Sequence, residues 1–330
     1  MASLVDLLKI LADGKYHSGT DLGQKFGISR AAIGKNIQKI EQNYNLNVFA
    51  VKGKGYRLQH PLELLDENLI RQKLSNVAAK QLNQFEIFSD IDSTNRYLNN
   101  KNIDGAPGGY LVLAEQQTKG QGRRGRTWVS PFGCNLFLSL LWRFQCGPAQ
   151  LGCLSLFIAV AIVRALKIIG IKDAGVKWPN DIVWQNKKLA GILLEMRGEH
   201  SGPCAVVVGV GINISMPVVN EEIKKIDQPW VDIETILNKK VDRNDFTALV
   251  INALFDVLNK IPDEQNTLLD EWQQMDILRD QQIEITFTDK TLSGKALGIN
   301  SDGALRVEHD GKEIVCHSGE VSIRPGINNG

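Results

Sequence analysis

The sequence predicts a multidomain α+β protein, and three observations carry that expectation. The chain has 330 residues, which at roughly 150 per domain makes two domains or three small ones. Its apolar pattern changes twice: helical spacing at the start, strands broken by Gly and Pro from about 85 to 215, and short alternating strands after Trp272. Its charge is uneven in step with that pattern. The total is +1, yet residues 1–60 hold nine Lys/Arg and four acids, a net of +5 on a body of −4. With 43% hydrophobic and 23% charged residues, disordered and collagen-like chains are excluded. A basic head on a mildly acidic body suggests a nucleic-acid module.

The head comes first. Residues 3–12 place apolar side chains at helical spacing, and Asp13-Gly14 ends that helix. Ser18 caps a second helix reaching about Phe26. Gly27-Ile28-Ser29 is a tight turn, with Ser29 the N-cap of a third helix over Arg30–Asn43 whose Ile33, Ile37 and Ile40 face a core. Two helices joined by a short Gly-containing turn are a helix-turn-helix, and the second helix enters a major groove by its N-terminal end. Ser29, Arg30, Ala31, Lys35, Asn36 and Lys39 are therefore candidate DNA contacts. Asn47–Val51 and Tyr56–Leu58 then pair around Lys52-Gly53-Lys54-Gly55. That hairpin is a wing, and Lys52 and Lys54 can reach phosphates. Seven cations against one acid between residues 25 and 57 favour DNA over a merely solvated basic face.

The body begins near His60-Pro61, with a connecting helix expected over 62–75. Expected strands are Glu86–Ile91, Tyr110–Glu115, Asn135–Trp142, Gly175–Trp178, Ile182–Gln185, Leu189–Met196 and Ala205–Ile212, around a buried helix over 150–169. Helices between strands are too few for a doubly wound sheet. Three polar clusters interrupt the strands. Asp92-Ser93-Thr94-Asn95 reads first as a helix cap. Gly120–Trp128 matches G-x-G-x-x-G, but loop chemistry follows where a dinucleotide fingerprint opens a helix. Its three arginines in four positions suit clamping of phosphate or carboxylate oxygens, and Trp128 offers a stacking surface. Lys177–Asp181 and Lys187–Ile192 read singly as a turn and solvated lysines, and Gly209–Asn213 as either a turn or a backbone approaching a ligand. No Walker A sequence is present.

After two helices, Val231–Leu237 and Phe246–Leu258 with Pro262 as the stop, come strands Gln282–Thr288, Leu292–Ile299, Ala304–Glu308, Ile314–His317 and Glu320–Arg324. Asp-Gly turns at 302–303 and 310–311 make this a small all-β barrel that leans on the body. Five cysteines without a C-x-x-C pair argue against disulfides and zinc, and suggest a reducing cytoplasm. No signal peptide is visible, and the Leu151–Val163 run is short of the ~18 apolar residues of a membrane span. No membrane association is expected.

The strings DSTN, Q-T-x-G-x-G-R-R-G-R-x-W, SPFG-x-NL, KWPND, KLAGIL and G-x-GIN, in this order and spacing, resemble the biotin–protein ligase family. S-R-A-A-I-x-K-x-I and V-x-G-K-G-Y extend the resemblance to its bifunctional bacterial form, which also represses the biotin operon. The resemblance implies a winged helix-turn-helix over 1–62, a mixed α/β catalytic domain over 63–272 and an SH3-like barrel over 273–330. It implies that biotin's carboxylate attacks the α-phosphorus of ATP, with Mg²⁺, and that a lysine of the biotin carboxyl carrier protein of acetyl-CoA carboxylase attacks the resulting adenylate. Biotin's carboxylate is already ionised at pH 7, so the first step needs positive charge and alignment rather than a base.

By position, the resemblance assigns Ser93, Thr94, Asn95 and Gln117 to biotin, and Gln121, Gly122 and Arg123 to a loop that orders over the adenylate. Lys188 contacts the reacting carboxylate. Trp128 and Asn213 hold adenine. Arg124, Arg126, Asn180 and Arg324 serve the nucleotide, and Asp181 the metal side. Lys188, Arg123 and Asp181 are the catalytic set. Gln121 stands where the family usually has Arg. If that Arg acts through its backbone amide little changes, and if through its guanidinium ligand affinity differs here. The resemblance also implies that the adenylate orders the loop and permits a homodimer, whose two heads reach two operator half-sites. Two rivals remain: a lipoate–protein ligase, and a ligand-sensing transcription factor without catalysis. Retained Lys188 and Arg123 argue against the second.

Overall fold

The computed structural model describes residues 4–198, 202–217, 223–287, 290–317 and 322–325. The head contains α1 (Leu4–Leu11), α2 (Gly19–Phe26) and α3 (Arg30–Tyr44), then the hairpin β1 (Val48–Val51) and β2 (Gly55–Leu58). Both expected caps form: Ser18 accepts the amides of Thr20 and Asp21, and Ser29 accepts that of Ala32 at 3.1 Å. Gly27 ends α2 at φ 64°, a left-handed conformation that glycine adopts without strain. Leu7, Leu8, Leu11, Leu22, Ile33, Ile37 and Ile40 form the core beneath. The wing is no free loop. His17 and Tyr56 exchange backbone hydrogen bonds, and the Tyr56 ring covers Gly19 and Gly34.

The expected helix over 62–75 is shorter, α4 (Glu67–Gln72), followed by α5 (Asn76–Gln81). Residues 62–66 are irregular because the body takes their backbone groups. The Leu65 amide donates to Glu115 at 2.5 Å and the Asp66 amide to Asn244 at 2.8 Å. The Asp66 carboxylate then caps α4.

The body adds β3 (Gln84–Phe88), α6 (Thr94–Ile103), β4 (Tyr110–Ala114), β5 (Leu136–Phe144), α7 (Leu154–Ile168), β6 (Gly175–Lys177), β7 (Asp181–Trp184), β8 (Lys187–Gly198), β9 (Cys204–Ile212), α8 (Ile233–Leu237), α9 (Arg243–Asn259) and α10 (Gln265–Gln273). Its seven strands form one sheet in the order β3-β4-β5-β9-β8-β7-β6, antiparallel except for β3–β4. Alternate residues of β4 serve opposite faces, as strand geometry requires. Leu111 and Leu113 join the main core, while Tyr110 and Val112 pack with Leu98 of α6. Eleven of the fifteen α7 residues are buried. Pro148–Ile168 is long and apolar enough to cross a membrane by length and composition, but 72% of that window lies inside the protein. It is the core helix, against which α9 and α10 pack.

The C-terminal sheet comprises β10 (Gln282–Thr286), β11 (Thr291–Ile299), β12 (Leu305–His309), β13 (Lys312–Cys316) and β14 (Ser322–Pro325). It is antiparallel in the order β13-β12-β11-β10-β14. Both Asp-Gly turns form, with Gly303 at φ 76° and Gly311 at φ 71°. Ile283, Ile285, Leu305 and Val307 belong to the same core as the body, so this sheet is fused to it rather than tethered. Thr288, Glu320 and Val321, which the sequence reading places in strands, lie outside the described residues. That reading does not anticipate α5 or α10, which are short and largely polar.

Candidate functional site

A cleft of about 600 Å³ lies against β5, β8 and β9, within the ~300–1,000 Å³ usual for small-molecule sites. Glycines shape its floor. Gly191 and Gly211 face each other across β8 and β9, and the Trp128 indole rests on both. A Cβ would fall 2.6 Å from that ring at Gly211 and 2.9 Å at Gly191. Gly209 leaves room for Asn95, whose Oδ1 a Cβ there would meet at 2.2 Å. The G-x-G-I-N string is thus a strand that receives two side chains, not a turn.

One wall is the start of α6, capped by the Ser93 hydroxyl. Thr94 donates to Gln117 Oε1 from its amide at 3.0 Å and its hydroxyl at 3.1 Å. The Asn95 amide nitrogen donates to Glu195 at 2.8 Å and to the Leu193 carbonyl at 3.3 Å. Behind them sits Ser139, fully buried, its hydroxyl 2.7 Å from Thr94 Oγ1 and 2.6 Å from Asn95 Oδ1. Sequence reasoning missed Ser139. The available signal was one hydroxyl inside the apolar run Leu136–Trp142.

The opposite wall is charged. The glycine-arginine loop closes on itself, with the Gly122 amide donating to the Arg126 carbonyl at 2.7 Å and Arg124 held at φ 56°. Arg123 donates to Asn180 Oδ1 at 3.2 Å. Burial lowers the Arg123 pKa and Arg124 and Arg126 lower it further, while Asp181 opposes them. Lys188 Nζ stands 2.8 Å from Asp181 Oδ1 and 5.3 Å from the Trp128 ring centroid. Asp181 Oδ1 is buried and makes no directed hydrogen bond, so that contact is charge pairing. Asn180 and Ile192 exchange hydrogen bonds that sew the Lys177–Asp181 loop to β8. The indole N–H of Trp178 donates to the Gly303 carbonyl at 2.9 Å, which ties that loop to the C-terminal sheet. The Asn213 amide nitrogen is engaged by the Val231 and Lys188 carbonyls at 3.2 and 3.4 Å.

Ser93, Thr94, Asn95, Gln117, Gln121, Gly122, Arg123, Arg124, Arg126, Trp128, Asn180, Asp181, Lys188 and Asn213 all line this one cleft. They come from segments up to 120 residues apart. The Arg324 side chain lies outside the described residues. In the head, Ser29, Arg30, Ala31, Lys35, Lys39, Lys52 and Lys54 are exposed and Asn36 is half-buried. Among the described residues, no cluster of three His, Cys, Asp or Glu forms a metal cage. None of the five cysteines forms a disulfide, and burial pushes Cys134 and Cys153 up to about 11.

Comparison with known proteins agrees with this layout. Residues 87–213 match the biotin/lipoate A/B protein ligase family, residues 4–57 an HTH domain, and residues 280–324 the biotin protein ligase C-terminal domain. The bifunctional ligase/repressor BirA of Salmonella typhimurium is 39% identical, and that of Escherichia coli 38%, each over 96% of both chains. The biotin protein ligase of Aquifex aeolicus, solved in complex with biotin and ATP, superposes at a TM-score of 0.63 with 26% identity. That match covers 74% of this chain and 100% of the other. A head, a cleft-bearing sheet and a C-terminal sheet follow one another as in relatives matched almost end to end, and the chain belongs to the bifunctional biotin ligase/repressor family.

Proposed function

We propose that this protein joins biotin to a lysine of the biotin carboxyl carrier protein of acetyl-CoA carboxylase, through biotinoyl-5′-adenylate, and represses the biotin biosynthesis operon. The observation that carries this is convergence. A polar wall, an aromatic floor and a cationic wall meet in one cleft, in a family whose members bear these names. The polar wall suits the ureido ring, with Ser93, Thr94, Asn95 and Gln117 supplying fixed donors and acceptors. Trp128 on its glycine floor suits adenine, with Asn213 beside it. Lys188 and Arg123 lie between, where a carboxylate oxygen attacks the α-phosphorus and the bond to pyrophosphate breaks. Both cations stabilise charge that develops there, and their alignment of the two reactants lowers the barrier further. In the second step the carrier's lysine amine attacks the acyl carbon. The acyl–phosphate bond breaks, AMP leaves, and the amine loses its proton.

Mg²⁺ fits as an ion carried on the nucleotide. Asp181 offers one hard carboxylate, as a site completed by substrate phosphates needs, with its Oδ1 shared with the Lys188 ammonium at 2.8 Å. It would neutralise phosphate charge there. Gln121, Gly122, Arg124, Arg126, Asn180 and Arg324 are assigned to the surrounding ligand contacts. We assign 1–62 to a winged head, 63–272 to the catalytic domain and 273–330 to an SH3-like barrel; the five antiparallel strands and tight Asp-Gly turns support the last. The head contacts operator DNA through Ser29, Arg30, Ala31, Lys35, Asn36, Lys39, Lys52 and Lys54, as a homodimer formed when the adenylate is bound. We assign it to the cytoplasm, the compartment in which ATP, the carrier and DNA would meet it.

The test is direct. Incubation with biotin, ATP, Mg²⁺ and an acceptor carrier domain should add one biotinoyl mass to the acceptor lysine. Pyrophosphate exchange that depends on lipoate and ignores biotin would favour the lipoate reading instead.

A further inference from the structure

Phe132 belongs to the body by sequence and to the head by packing. It is 2% exposed, and the core it joins is that of Leu7, Leu58 and Tyr44. Its ring centroid lies 4.4 Å from that of Tyr44. Tyr44 is the last residue of α3, whose opposite end carries the candidate DNA contacts. The residue after Phe132 is clamped on both sides: the Gly133 amide donates to the Glu115 carbonyl at 3.1 Å, and Leu62 and Leu64 cover its backbone.

The segment before Phe132 is the wall of the ligand cleft. Trp128 stands four residues earlier. Ser130, between them, donates to the Trp128 carbonyl at 3.1 Å and accepts from Gln117 Nε2 at 3.5 Å. Gln117 in turn holds Thr94. A ligand that displaces Trp128 or Gln117 therefore pulls on the strand of chain that seats α3. Beside that seat is an open groove of about 300 Å³, lined by Val5, Leu8, Lys9, Glu115 and Phe132 among others. Close-packed interiors do not accommodate shifts, whereas an open groove along the junction leaves the head room to tilt about the packed Phe132.

We infer that Phe132 is the positioning residue through which the occupied cleft sets the angle of the recognition helix within each subunit. This role is separate from dimerisation and rests on the repressor reading above. Two states of the head, differing in contact at Phe132, are what such coupling requires.

The full-length protein tests this with Phe132→Leu and Phe132→Met. Wild type is measured first for binding to a duplex from the control region of its own biotin-synthesis genes, with and without biotin plus ATP. No response there overturns the repressor reading, and this inference with it. Given a response, both variants should biotinylate the carrier within twofold of wild type and self-associate at the wild-type concentration. Loaded with adenylate, they should bind the control-region duplex at least tenfold more weakly. Tyr44→Leu added to Phe132→Leu should cost little more, because the two residues act as one contact. Unchanged control-region binding, or a loss that only tracks lost self-association, overturns the inference. Binding to an unrelated duplex at low salt reports a folded head. Its loss in both variants makes Phe132 a folding residue and also overturns the inference.

Discussion

At the scale of single residues, the cleft is defined as much by missing side chains as by present ones. Gly209→Ala places a methyl 2.2 Å from Asn95 Oδ1, against a side chain already tied to Ser139 and Glu195. We expect biotin affinity to fall at least tenfold, with the KM for ATP changed less. Gly211→Ala pushes on the Trp128 indole at 2.6 Å, so the expected order reverses, and the KM for ATP rises at least tenfold. Separate titrations of the two substrates check both, and a Gly211→Ala enzyme with an unchanged KM for ATP would remove adenine from that floor. Lys188→Ala should abolish carrier biotinylation; full activity in that variant refutes its role. The arginines of this site were legible in the sequence because three guanidinium groups in one glycine loop advertise their chemistry, whereas Lys188 and Asp181, read singly as a solvated lysine and a turn, were reached through the family resemblance. Gly209 and Gly211 were legible only as a turn or a backbone approaching a ligand, and Ser139 not at all, since what they do depends on which side chain arrives from another segment.

At the scale of elements, two junctions carry unusual polar groups. The linker after the head is held by Arg243, whose guanidinium pairs with Glu115 at 2.9 Å and also meets the Asn135 carbonyl at 2.8 Å. Both side chains are about 5% exposed, Arg243 at 4% and Glu115 at 5%. Removing one partner of a buried pair strands the other charge, so Glu115→Ala should cost about 3–5 kcal/mol in denaturant unfolding. The second junction is Asp276, which pairs in β-bridge fashion with Val176 where the C-terminal sheet meets the body. Burial raises its pKa to about 6, against hydrogen bonds that lower it, and its Oδ2 has no partner. The folded chain therefore holds this proton more tightly than the unfolded chain. Stability falls as pH rises from about 4 to 6, by at most about 3 kcal/mol. Asp276→Asn should accordingly raise the melting temperature at pH 7.5, with the gain shrinking towards pH 4. A gain equal at both pH values would contradict that origin. Neither junction was foreseen. The helix expected over 62–75 gave way because hydrogen bonds from residues 180 positions away in sequence claimed its first turn.

At the scale of the whole molecule, the near-neutral total charge conceals two separated anion-binding surfaces. One is the exposed cationic head and the other the cleft wall, where Arg123 and Lys188 are half-buried and Arg124 and Arg126 exposed. Ionic strength should tell them apart. Binding of operator DNA should weaken steeply with salt, and Lys52→Ala should reduce the slope of log K against log salt by about one. Carrier biotinylation should respond less, because Lys188 and Arg123, the two half-buried cations of the cleft, are screened less than exposed ones. Equal salt dependence of the two activities would place Lys188 and Arg123 in solvent as well. The sequence by itself determined the order of the modules, the helix-turn-helix with its caps, the seven strands and the buried helix, and its family resemblance picked out fourteen residues of the cleft, though not Ser130, Ser139, Asp227 or Gln228. The elements follow from local periodicity and turn chemistry, which neighbouring positions encode, and the cleft residues from the order and spacing of the strings that carry the resemblance. Only the tertiary structure decided which backbone lies bare beneath Trp128 and Asn95, that the C-terminal sheet shares the body's core and holds the Trp178 loop, and that Phe132 leaves its own domain to complete the head. Those features arise where segments distant in the chain pack together, and close packing is a property of the pair, carried by neither segment alone.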